Sequence, residues 1–141
     1  MKAMAISRTG LDVEWRRLEI IAENLANMST TSKPGAKAYE AHRLVSGPVS
    51  GFAGMVGADA HSATGGVAVY GIEAVKAQPR MVYEPGHPDA DEKGFVAYPA
   101  IDLADEMTQM IKTSRAYESN LVAMNLARQM YSKALELGKG S

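Results

Sequence analysis

Apolar and aromatic side chains recur through the last forty or so residues at alternating spacings of four and three. The line reads Leu103, Met107, Met110, Ser114, Tyr117, Leu121, Met124, Arg128, Tyr131 and Leu135, with no proline among them. A repeat near 3.5 residues predicts one long helix with a single apolar seam, which demands a partner helix. The first twenty-eight residues carry a matching line of Met4, Leu11, Leu18 and Leu25, flanked by Trp15, Ile21 and Met28. Two seam helices at the two ends of one chain predict that the ends pair.

Between them the pattern changes. All six prolines and ten of the thirteen glycines fall from Pro34 to Pro99, and both residue types break helices. The chain therefore reads as three segments: an amino-terminal helix within 1–30, a Gly/Pro-rich β and loop insert over 31–101, and a carboxy-terminal helix within 102–141. The fold class is mainly α, a long antiparallel α-hairpin or coiled coil with a small irregular β-rich insert. The first helix is expected to end near Asn27, since asparagine tolerates the backbone that closes helices, and to fray over its first ten residues because of Gly10. Asp102 is placed to cap the second helix, with Asp105 and Glu106 in its first turn, and Gly138 to end it. Short strands are expected at 39–45, 67–76, 80–83 and 95–98. The glycine-rich stretch 46–66 has linker composition.

Charge and cysteine content narrow the function. Fifteen basic and sixteen acidic residues leave a net charge of −1, and no concentrated basic surface is there for nucleic acid or anionic lipid. The absence of cysteine excludes disulfides and thiolate metal sites. No apolar run is long enough to span a bilayer, and the start lacks the apolar core of a secretory signal.

Candidate chemistry is thin. In the segment Pro85 to Gly94, Asp89, Asp91 and Gly94 match positions 1, 3 and 6 of a calcium loop, but Lys93 and Ala100 occupy positions 5 and 12. Gly66 to Gly71 has the gap of a phosphate loop, yet Ile72 stands where lysine is required. His42, His61 and His87 are scattered and form no metal or triad spacing. No cofactor and no small-molecule substrate are expected, and the segment reads as a turn pair fixed by Pro85 and Pro88. Two other classes compete with a structural subunit. One is a helical adaptor or secretion chaperone whose seams bind a client; the other is a small metal-dependent enzyme using His87, Asp89 and Asp91.

Two segments carry a family likeness. Asn24-Leu-Ala-Asn27 followed by Thr30 resembles the amino-terminal signature of the bacterial flagellar rod, hook and hook-associated proteins. The segment from Val82 to Pro99 is similar to a stretch found in the rod members, and it continues through Asp105-Glu-Met-Thr-Gln-Met-Ile111 and Ser114-Arg-Ala-Tyr-Glu-Ser-Asn120. The resemblance implies a non-enzymatic building block of a helical tube, the periplasmic drive shaft and export channel of the basal body. It implies export through the flagellar type III apparatus without a cleaved signal peptide. The implied partners are further copies of the chain, the other proximal and distal rod proteins, and the junction with the hook-basal body complex protein and inner-membrane ring. The assembly residues would then be Met4, Leu11, Leu18, Ile21, Asn24, Leu25, Asn27, Thr30, Met107, Met110, Tyr117, Leu121, Met124, Tyr131 and Leu135. Glu84, His87, Asp89, Asp91 and Glu92 are candidates for a loop contact between subunits.

Overall fold

The computed structural model describes residues 2–49 and 65–139. Helix α1 spans Lys2–Asn27, strands β1 to β4 span His42–Pro48, Val67–Ala74, Arg80–Tyr83 and Phe95–Tyr98, and helix α2 spans Leu103–Lys139. The strands make two two-stranded sheets, β1 with β2 and β3 with β4. Residues 50–64 of the expected linker, with His61, lie outside the described residues.

The chain divides into two compact units, both of which take part of each helix. One is drawn from Arg17–Leu44 and Ile72–Ile111. Its core holds Ile20, Ile21, Ala41 and Val96, with Pro99 also fully buried. Strands β3 and β4 are antiparallel, with Val82 opposite Val96 and Tyr83 opposite Phe95. The alternation of a strand turns Val96 into the core while Met81, Tyr83 and Phe95 stay exposed. The hairpin loop closes at Gly94, whose φ of +83° suits glycine. A Cβ there would lie 2.9 Å from Tyr83 Cε2 and 3.1 Å from Pro85 Cβ.

In the same unit, Asp102 caps α2 as expected. Its Oδ1 accepts from the amides of Ala104 (2.7 Å) and Asp105 (3.1 Å), satisfying two of the amides a helix start leaves open.

The other unit is drawn from Met1–Arg16, Val45–Gly71 and Lys112–Ser141. Leu11 and Val13 are buried. Helix α1 runs unbroken from Lys2 through Gly10, where fraying was expected. Gly10 lies against Asn120 of α2, and a Cβ at Gly10 would sit 2.9 Å from Asn120 Nδ2, so the glycine makes room for a side chain of the second helix. Trp15 and Tyr117 pack ring against ring with centroids 6.2 Å apart. Thr9 Oγ1 accepts from the Val67 amide at 3.0 Å, holding the start of β2 to α1.

Several expected bounds shift. The first strand runs from His42 to Pro48 instead of 39–45, so 46–48 of the expected linker are strand, and β2 ends at Ala74 instead of Lys76. Before β1, the Tyr39 phenol bonds Asn24, and the Ala41 carbonyl accepts the Val75 amide (2.7 Å) at the end of the pairing. Helix α2 also runs one residue past Gly138.

The seam of α2 is rotated from its apolar line. A line of shielded positions runs through Glu106, Met110, Thr113, Tyr117, Asn120, Met124 and Ala127, again spaced by four and three, with Ser114 and Ala116 half-buried beside it. Met107 and Leu121 of the apolar line are exposed. Their places in the shielded line are taken by Glu106 and Asn120, one position earlier.

Candidate assembly site

The signature Asn24-Leu-Ala-Asn27 closes α1 and ties it to the turn at Thr30. Asn27 Nδ2 donates to the Glu23 carbonyl (2.9 Å), and Thr30 Oγ1 donates to Asn27 Oδ1 (3.2 Å). The Thr30 amide donates to the Asn27 carbonyl at 3.0 Å. The Thr30 amide thus supplies one of the hydrogen bonds that the last carbonyls of a helix lack, and the Asn27 and Thr30 side chains hold the turn that places it. Leu25 is half-buried beside them.

Asn24 has a different task. It is 0% exposed, and its amide pairs with both backbone groups of His42. Nδ2 donates to the His42 carbonyl at 3.0 Å, and Oδ1 accepts the His42 amide at 2.9 Å. Tyr39 Oη also donates to Oδ1, at 3.1 Å. Nδ2 reaches Glu106 Oε2 at 3.3 Å, and Arg43 pairs with Glu106 Oε1 at 2.5 Å. Glu106 is only 1% exposed, and Arg43 and Asn24 supply the partners that a buried carboxyl group needs, since one left without them is strongly disfavoured. Burial holds the Tyr39 phenol above its ordinary 10.0, with Glu23 and then Glu106 adding to the shift. The node therefore joins α1, β1 and the first turn of α2 in one unit.

Beside the node lies a cavity of about 220 Å³ lined by Arg17, Ile20, Ile21, His42, Arg43, Leu44 and Gln109. Its cations are already engaged in part, Arg43 with Glu106. Among the described residues, no group of three or more His, Asp or Glu side chains could hold a metal ion. No described helix is long and apolar enough to cross a membrane.

The loop from Pro85 to Gly94 and Glu84 before it engage most of their acids within the chain. Asp91 Oδ1 accepts the amides of Lys93 (2.9 Å) and Phe95 (2.8 Å). Asp89 Oδ2 accepts from Thr31 Oγ1 at 2.6 Å, and His87 Nδ1 accepts the Asp89 amide at 3.1 Å. Glu84 accepts from Tyr98 Oη at 3.2 Å. Three of the groups that a metal enzyme would need, His87, Asp89 and Asp91, are thus held by the loop or by Thr31. Glu92 is exposed.

The positions expected to serve assembly fall in three classes. Leu11, Ile21 and Asn24 are buried; Met4, Leu18, Leu25, Asn27, Met110, Tyr117 and Met124 are half-buried; Thr30, Met107, Leu121, Tyr131 and Leu135 are exposed. The node brings Asn24 together with Glu106, Arg43, Tyr39 and His42. Apolar periodicity could not reveal these last four. A signal existed only for Glu106, as an acid in the first turn of a helix, and that signal points to the surface.

Exposed apolar side chains concentrate on α2. Leu103, Met107 and Ile111 lie open in its first part, and Leu121, Val122, Leu126, Met130, Tyr131, Leu135 and Leu137 in its second. From Arg128 to Gly138 every residue is exposed.

Residues 92–137 match the family described as the C-terminal part of the flagellar basal body rod FlgEFG proteins. A protein of Escherichia coli O6:H1 named flagellar basal-body rod protein FlgC is 35% identical over 134 residues, 95% of this chain and 94% of that protein. Proteins of the same name from Borreliella burgdorferi and Bacillus subtilis are 33% and 32% identical, each over at least 95% of both chains.

Proposed function

Since the chain belongs to the family of the flagellar basal-body rod protein FlgC, we propose that it works through its two terminal helices, as an antiparallel hairpin packed among its neighbours. It is a structural subunit of the flagellar basal-body rod. The order of contacts between the helices supports the hairpin. Gly10 meets Asn120, Trp15 meets Tyr117, and Asn24 meets Glu106, so position falls along α2 as it rises along α1. The exposed apolar face of α2 supports the packing role. In this reading the hairpins form the wall of a tube that transmits torque and leaves a channel for export. The neighbours are further copies, other proximal and distal rod proteins, and the proteins at the inner-membrane ring junction. The subunit reaches the rod through the type III export apparatus with its amino terminus uncleaved, which mass spectrometry of rod-incorporated chain would check.

The chain's lack of cysteine makes the hairpin directly testable. Gly10→Cys with Asn120→Cys should give an intramolecular disulfide on mild oxidation. A bond formed only between two chains, or none at all, would sink the hairpin.

The Pro85 to Gly94 loop is assigned a contact role in the same reading, with Glu92 as its free charge. Glu92→Lys should weaken rod assembly while leaving the loop intact. Reversing Asp89 and Asp91 as well should do more, because those two also hold the loop together. Normal swimming by both variants would leave the loop a solvated turn.

A further inference from the structure

We propose that the buried Asn24–Glu106–Arg43 node is a rotational lock, which decides which face of α2 is turned inward and which is offered to neighbours. The apolar line of α2 and its shielded line share Met110, Tyr117 and Met124; between these, Met107, Leu121 and Arg128 of the apolar line are exposed while Glu106, Asn120 and Ala127 are shielded, and only around Thr113 and Ser114 are both lines covered. At 3.6 residues per turn, the two lines are separated by a rotation of roughly 60° about the helix axis. Apolar burial alone favours the rotation that takes in Leu103 and Met107. The structure has the other one. Glu106 is buried, while Leu103, Met107 and Ile111 are 48%, 50% and 53% exposed.

The polar partners supply the reason. With Asn24 at its place in α1 and Arg43 at its place in β1, only the observed rotation pairs the Glu106 carboxylate with both. The other rotation leaves the Asn24 amide and the Arg43 guanidinium without that acceptor, against an apolar surface. A buried polar contact of this kind is strongly orientation-dependent, whereas apolar packing tolerates more than one arrangement. Asn24 is itself fixed at two points by the His42 backbone, so it cannot turn to follow a rotating helix. The lock therefore holds Leu103 and Met107 outward in the subunit, against their own preference for burial. That the outward face then meets a neighbour rests on the proposed assembly role; the lock itself does not.

The test separates the two. Met107→Cys supplies a single thiol, and its labelling rate in the purified full-length chain reports which face Met107 occupies; Ile20→Cys, made in a separate chain at a buried position of α1, reports that the unit is folded. In the parent chain the thiol at 107 should label quickly and that at 20 slowly. Adding Asn24→Leu removes the lock and offers an apolar surface. The thiol at 107 should then label about tenfold more slowly while that at 20 stays protected. Adding Glu106→Gln instead preserves an acceptor for Asn24 and should leave labelling at 107 fast. Unchanged fast labelling at 107 in the Asn24→Leu chain would overturn the lock. Rapid labelling at both positions, in the Asn24→Leu chain or the parent, would overturn it too, because no rotation would then be held. Motility of cells carrying Asn24→Leu is a separate readout: slowed labelling with normal swimming keeps the lock and removes its bearing on assembly.

Discussion

The two ends of α2 are supported in opposite ways. Its first turns are held by their own chain: Asp102 caps them, buried Pro99 precedes them, and Glu106 is locked to Asn24 and Arg43. Its last turns, from Arg128 to Gly138, are helical with every side chain exposed. Helices in proteins owe most of their stability to packing of an apolar face, and Leu137 is left 78% exposed. One helix thus combines a stretch packed within its own unit and a stretch whose side chains from Arg128 to Gly138 are all exposed. In the proposed assembly the near end serves the fold and the far end the contacts with neighbours.

The contrast can be broken at its far end first. Deleting residues 126–141 should abolish swimming altogether while the truncated chain is still made, as immunoblotting and a motility assay would show. Full swimming would make the far end dispensable. Next, Ile20→Ala beside the first turns should cost about 2–5 kcal/mol in urea unfolding of the isolated chain. Met130→Ser at the far end should cost within roughly 0.5 kcal/mol and yet slow swimming more than its effect on stability accounts for. Equal costs at the two ends would erase the distinction.

Two smaller effects sharpen it on the near side. Gly94→Ala places a Cβ at a left-handed backbone and against Tyr83 and Pro85, which should cost about 1–3 kcal/mol by thermal unfolding. Asp102→Ala removes the cap of α2 and should cost about 1 kcal/mol. An unchanged melting temperature in the second variant would mean that the buried node alone fixes the helix start.

Local signals in the sequence were legible to the residue. The end of α1 at Asn27, the cap at Asp102, and strands β3 and β4 lie where turn chemistry and alternation placed them. What could not be read was the inward face of α2. Periodicity weighs side chains by apolarity, so it chose Met107 over Glu106; the choice actually depends on Asn24 and Arg43, which are distant in sequence. The same blindness covers the bounds of β1, before which the Tyr39 phenol bonds Asn24. Gly10 was read as a weakness in α1, since its benefit, room for Asn120, is a contact between distant segments. In the candidate site the motif residues were visible, while the partners that give them their work were not.

The pairing of Asn24 with His42 has one more consequence. A primary amide carries the same donor and acceptor as a peptide unit, and here it engages the N–H and C=O of one strand residue together. The side chain stands in for a neighbouring strand at the first residue of β1. An exposed strand edge is a template on which any other extended chain can grow, and proteins that exist at high local concentration must blunt such edges. At His42 that template is already occupied by the subunit's own helix. In the proposed assembly through helices, the chain thereby closes one place where it could have associated through strands.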